Sequence, residues 1–169
     1  VYGLAKLMGG KKRFIDKLQM VFDEGLYDPA NEPDIAYPYL FSYFKGEEWR
    51  TQKETQRLLD KYFTTKPDGI PGNDDTGTMS SWAIFNMIGF YPDCPGLPEY
   101  TLTTPVFDKV TIRLNPKWYK EKELVIESNR AQPGTLYINK VLLNGKKFNK
   151  YRITHDELVH GQHIYFDLK

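Results

Sequence analysis

The hydrophobic period of this chain changes once, at the run Pro92-Asp93-Cys94-Pro95-Gly96, and that change limits the fold more than any other feature. Before it, apolar residues recur at helical spacing. Phe14, Ile15, Leu18, Val21 and Phe22 mark one helix, stopped at Gly25, and the Gly9-Gly10 pair separates it from a shorter one holding Leu4 and Leu7. A polar loop from Asp28 to Asp34 precedes an aromatic-rich helix around Tyr39, Leu40, Tyr43 and Phe44. Residues 49–63 carry Leu58, Leu59 and Tyr62 on one face. Met79, Trp82, Ala83, Ile84, Phe85 and Ile88 predict a nearly all-apolar helix, buried on most sides and ending at Gly89. Beyond the break, residues 106–114, 123–127, 135–143 and 163–168 are β-branched or alternating runs. Asn115-Pro116, Pro133-Gly134 and Asn144-Gly145 punctuate them with turn chemistry. The expectation is an α+β chain: a helical segment over 1–98, then a small antiparallel sheet, half of a sandwich, over 99–169.

Apolar residues make up 40% of the 169, enough to build a core. A formal net charge of +1 provides no field for nucleic acid. Nothing approaches the roughly 18 consecutive apolar residues of a membrane span. The single cysteine, Cys94, excludes an internal disulfide and leaves the compartment open. The chain opens on Val1, inside a helical pattern, and is expected to be a piece of a larger protein.

The segment Gly72-Asn73-Asp74-Asp75-Thr76-Gly77 places two adjacent carboxylates just ahead of the apolar helix. The positive end of a helix attracts negative charge, and an ionised carboxylate can take a proton from water. Gly72 and Gly77 allow a tight turn and close approach of a ligand. The same residues suit a helix cap equally well, because Asp and Thr are good capping residues. An EF-hand is excluded by the lack of regular acidic spacing and a distal glutamate, and a phosphate cradle by charge and the missing lysine. Taken alone, the residues fit capping or catalysis.

The longer run Pro71-Gly72-Asn73-Asp74-Asp75-Thr76-Gly77-Thr78-Met79-Ser80-Ser81-Trp82, continuing through Gly89-Phe90-Tyr91-Pro92 to Cys94-Pro95-Gly96, resembles glycoside hydrolase family 92. Asn31-Glu32-Pro33, Pro38-Tyr39-Leu40-Phe41 and Trp49-Arg50-Thr51-Gln52 are similar to further family segments, as are Tyr100, Pro105, Phe107, Asp108 and Lys109. The resemblance implies a calcium-dependent, inverting exo-α-mannosidase acting on α-mannoside glycans. It implies that residues 1–98 are the last helices of an (α/α)6 barrel, packed with the remainder of the parent polypeptide, and that the parent is secreted or periplasmic. By the same resemblance Asp75 is the catalytic base, and Asp74 and Asn73 help to hold the water or the sugar. Asn31 and Glu32 lie in the substrate neighbourhood, with Glu32 also a candidate Ca2+ ligand. The simpler role for Glu32 is a loop carboxylate capping the helix after Pro33. Ile35 and Ala36 depart from the histidines expected after Glu-Pro, which bears on linkage preference. An inverting enzyme needs a second carboxyl group roughly 6.5–9.5 Å from the base. The resemblance puts that acid before Val1, so the chain alone is expected to be inactive, with apolar barrel faces exposed.

Other features carry less. Among His155, His160 and His163, read as strand residues, the odd separations point side chains to opposite faces, and no acidic or thiol partner stands at metal-ligand spacing. Cys94 reads as a structural thiol, the run from Lys120 to Glu123 as a solvated edge, and Trp49 and Trp82 as core. The competing function is a non-catalytic carbohydrate-binding or structural module; such a module has no need of paired carboxylates ahead of a buried helix.

Overall fold

The computed structural model describes residues 1–130 and 134–169. It divides into two compact units, 1–83 and 84–169. Pro133, half of the expected Pro133-Gly134 turn, lies outside the described residues.

The first unit is helical. Its elements are α1 (Tyr2–Leu7), α2 (Lys11–Asp23), a 3-10 helix (Glu32–Tyr43), α3 (Glu48–Tyr62) and the start of α4 (Thr78–Ile88). The stripe predicted for α2 is the buried one: Phe14, Ile15, Leu18 and Phe22. Phe22 stacks on Tyr27 at 5.1 Å and packs on Phe41 at 5.9 Å, while Phe14 meets Phe44 at 5.4 Å. Across from α2, the side chain of Glu54 on α3 is fully buried. It is neutralised by Arg57 Nε at 2.7 Å and receives Gln19 Nε2 at 3.0 Å, so a buried charge is paired rather than stranded.

The aromatic-rich helix is where the helical expectation fails in kind. Residues 32–43 form a 3-10 helix with Pro38 inside it and a proline at its start. A proline supplies no N–H and its ring clashes with the carbonyl four residues back. The tighter winding lets Tyr39 and Phe41 reach full burial without regular α spacing.

The second unit is a β structure. A three-stranded antiparallel sheet has the order β1 (Phe90–Tyr91), β2 (Glu99–Leu102), β7 (Arg152–Thr154). A five-stranded sheet has the order β3 (Lys109–Arg113), β4 (Glu123–Arg130), β8 (His163–Leu168), β5 (Ile138–Leu143), β6 (Lys146–Phe148). The expected all-antiparallel sheet is corrected here, because β4 and β8 pair in parallel, Val125 opposite His163 through Arg130 opposite Leu168. A parallel pair needs a long crossover, and the chain from β5 through β7 and α5 (His155–His160) supplies it. Leu124, Ile126, Ile164, Phe166 and Leu168 face one core with Phe90, Leu102 and Ile153 of the smaller sheet. Asn144 (φ 49°) and Gly145 (φ 75°) make the hairpin between β5 and β6, as an Asn-Gly pair predicts.

Three smaller expectations are corrected. His155 and His160 sit on helix α5, not on a strand. Thr154 and Glu157 form a capping box there, a signal present in the sequence as Thr-x-x-Glu. Trp82 is buried but Trp49 is 40% exposed. In α4, Met79, Trp82, Ala83 and Asn86 are buried while Ile84 is 59% exposed, so the helix is less enclosed than its apolar content predicts.

Candidate active site

The acidic segment is a turn wound ahead of α4 and held by that helix's first residues. The carbonyl of Asp74 accepts N–H bonds from Gly77 (3.1 Å) and Met79 (3.2 Å). The Asp74 carboxylate accepts from the Ser80 N–H at 2.8 Å and from Ser80 Oγ at 2.9 Å. Asp74 is therefore the capping carboxylate: it satisfies an N–H that the helix cannot use internally.

Asp75 does something else. Its backbone is left-handed at φ 46°, followed by Thr76 at φ 60°. Two consecutive non-glycine residues in that region, one of them β-branched, are uncommon and costly, and such strain concentrates at functional sites. Its carbonyl accepts from Thr78 N–H (3.2 Å) and Thr78 Oγ1 (2.7 Å). Its carboxylate is exposed and, among the described residues, has no hydrogen-bond or ion partner; the exposed Asn73 side chain is likewise uncommitted. Of two adjacent acids, one is spent on the helix end and the other is left for solvent.

The second segment folds on itself. Asp34, 8% exposed, accepts from the Asp28 N–H (3.1 Å) and from Asn31 Nδ2 (3.1 Å), while Asp28 Oδ1 takes the Ala30 N–H at 2.9 Å. Asn31 is the residue before the 3-10 helix and makes no side-chain cap to it. Glu32 lies in that helix's first turn, exposed and unpaired among the described residues, so the capping role is not the one it plays.

The two segments touch at Ala30 and Gly72: a Cβ built on Gly72 would come within 2.6 Å of the Ala30 Cβ. Asn31 and Asn73 are the next residues along each chain from that contact. Beneath it, Trp82 donates Nε1–H to the Ile35 carbonyl at 3.3 Å and stacks on Phe63 at 5.3 Å. The start of α4 and the 3-10 helix are thus locked together under the two loops.

Calcium takes six to eight oxygen ligands. Among the described residues no three His, Cys, Asp or Glu side chains converge, and Asp34 and Asp74 already serve backbone and side-chain donors. Glu32 alone, exposed and unpaired, offers a single carboxylate and does not make a calcium site. Two clefts, of about 630 and 320 Å3, lie elsewhere; the first includes Lys109, Glu127 and His163, the second Asp16, Asp23 and Arg50. Thr78 and Ser80, which brace the turn, were not singled out from sequence, although hydroxyls in a helix's first turn after an Asp-Asp pair are a usable signal.

No helix among the described residues is long and apolar enough to cross a membrane. The family model described as the glycosyl hydrolase family 92 catalytic domain matches residues 1–169. A relative from Arthroderma benhamiae, named an uncharacterized secreted glycosidase, is 29% identical over 94% of this chain and 20% of its own length. The family GH92 α-mannosidase BT3965 of Bacteroides thetaiotaomicron, solved with mannoimidazole, superposes with a TM-score of 0.85 at 30% identity, over 95% of this chain and 22% of its own. The family GH92 inverting mannosidase BT2199 of the same organism gives 0.84 at 31%, over 99% of this chain and 25% of its own. The chain thus spans about a fifth to a quarter of the length of these relatives. With the family model matched over its whole length, the chain belongs to glycosyl hydrolase family 92.

Proposed function

We propose that this chain is the part of an inverting, calcium-dependent exo-α-mannosidase that carries the general base, Asp75, for release of terminal α-linked mannose from glycans. One observation carries the reading: Asp74 and Asp75 are adjacent, yet only Asp74 is consumed by the helix, while Asp75 stands exposed and unpaired on a left-handed turn. In the proposed reaction the oxygen of a water attacks C1 of mannose on the face opposite the leaving group. The water's proton passes to the Asp75 carboxylate, and the C1–O bond breaks as the departing oxygen takes a proton from an acid. That acid is assigned to the parent protein outside this chain, and the chain alone is assigned no turnover.

Asn73 and the side-chain oxygen of Asn31, whose amide goes to Asp34, are assigned to the sugar hydroxyls. Calcium, when bound, polarises mannose hydroxyls as a hard Lewis acid, and Glu32 is assigned one of its oxygen ligands. Family membership and the secreted name of one relative support a secreted or periplasmic parent.

The test is Asp75→Ala in the intact protein, assayed on α-linked mannobioses with calcium and with a chelator. The reading expects turnover to fall about a hundred- to ten-thousandfold with the fold retained, and chelation to abolish activity of the unmodified protein. Near-normal turnover by the variant contradicts it.

A further inference from the structure

Thr78 and Ser80 stand two residues apart in the first turn of α4, and each commits a hydroxyl and a backbone N–H to the turn before it. Thr78 gives both to the Asp75 carbonyl, N–H at 3.2 Å and Oγ1 at 2.7 Å. Ser80 gives both to the Asp74 carboxylate, N–H at 2.8 Å and Oγ at 2.9 Å. The two hydroxyls donate, so neither satisfies an unused N–H of the helix; the Ser80 N–H reaching Asp74 would suffice for a cap. What the hydroxyls fix is the turn itself, on either side of the peptide where the left-handed conformation begins at Asp75. A strained conformation persists only where its surroundings over-determine it, and these hydroxyls add to the backbone N–H bonds that Gly77, Thr78 and Met79 give to the Asp74 and Asp75 carbonyls.

We propose that Thr78 and Ser80 are positioning residues for the hydrolysis, holding the Asp75 backbone left-handed so that its carboxylate meets the attacking water at one fixed place. Thr78 acts through the Asp75 carbonyl and Ser80 through Asp74, which makes Asp74 a strut rather than a second base. The proposal rests on the reading of Asp75 as the base. A base displaced by about 1 Å loses on the order of a hundredfold in rate, whereas substrate affinity set by other groups is untouched.

The experiment compares Thr78→Val, Thr78→Ser and Ser80→Ala in the intact enzyme, with Asp75→Ala alongside. The expected result is a fall in kcat of about ten- to a hundredfold for Thr78→Val and Ser80→Ala, with KM within about twofold. Thr78→Ser, which restores the hydroxyl, is expected to return most of kcat. If Thr78→Val does not fold, Ser80→Ala decides by the same readout. The proposal is overturned if the folded hydroxyl variants keep kcat within about twofold while Asp75→Ala is inactive. Activity surviving in Asp75→Ala overturns the assignment of the base instead, so the two failures are distinguishable.

Discussion

Gly72 and Ala30 touch so closely that a methyl group on Gly72 would lie 2.6 Å from the Ala30 Cβ and 3.3 Å from its Cα. Neither atom is the end of a flexible side chain, so the backbone has to yield. Gly72 is also left-handed, at φ 65°. Gly72→Ala is therefore expected to cost about 1–3 kcal/mol of stability, and to lower the proposed turnover of the intact protein by separating the two loops. Ala30→Gly in that background removes the clash but not the backbone strain. Thermal unfolding of the single and double variants should show partial recovery, and strict additivity would mean the contact carries no energy.

Thr76 is a β-branched residue at φ 60°. Thr76→Gly relieves strain of about 1–2 kcal/mol while admitting more unfolded conformations, worth about 0.5–1 kcal/mol. The expected outcome is a fold as stable as the original, or slightly more so, with reduced kcat because the turn gains alternatives. Calorimetry beside steady-state kinetics checks both halves. A clear loss of stability would show that Thr76 is held there by contacts rather than against strain.

In the second unit, Arg152 grips Asp93 with Nη2–Oδ1 at 3.1 Å and Nη1–Oδ2 at 3.2 Å, and reaches Glu99 at 3.3 Å. Thr101 Oγ1 adds a donor to Asp93 at 2.7 Å. The Asp93 side chain is 2% exposed. Arg152→Ala leaves that carboxylate buried without its cation and is expected to cost about 3–5 kcal/mol. Asp93→Asn with Arg152→Met should cost less than Arg152→Ala alone, measured by denaturant unfolding.

The Thr154 backbone N–H is the main influence holding the Glu157 carboxyl below its ordinary range; burial opposes it, and Lys150 and the Thr154 hydroxyl assist. A carboxylate with a depressed folded pKa contributes stability that is present above its unfolded pKa. That contribution is lost as pH falls through the folded one. Glu157→Gln should therefore matter at neutral pH and cease to matter in acid. Thr154→Ala, which removes the cap itself, is expected to cost about 1 kcal/mol. Unfolding midpoints of the variants across the acid range check the sign.

Helices α2 and α3 were legible because each buries a single stripe, and a stripe is a sequence pattern. The hairpin at Asn144-Gly145 was legible because its backbone angles demand those residues. The parallel pairing of β4 with β8 was not, since strands 125–130 and 163–168 carry the same alternation whichever way they run. The 3-10 winding is hidden in the sequence because aromatic density imitates helical spacing, while Pro33 and Pro38 argue against a regular α-helix. At the candidate site the acidic pair was visible at once. Its division was not: both residues are aspartates, and only the path of the turn decides that Asp74 meets Ser80 while Asp75 does not.

The most direct measurement is azide rescue of Asp75→Ala in the intact protein, on an aryl α-mannoside with a good leaving group. Azide carries no proton to remove, so it can form the bond to C1 without a base as the aryl oxygen departs. The account predicts that turnover lost in the variant returns with azide, giving a mannosyl azide of β configuration. Full activity without azide, or an α-configured azide product, would contradict the assignment of Asp75 as the base of an inverting enzyme.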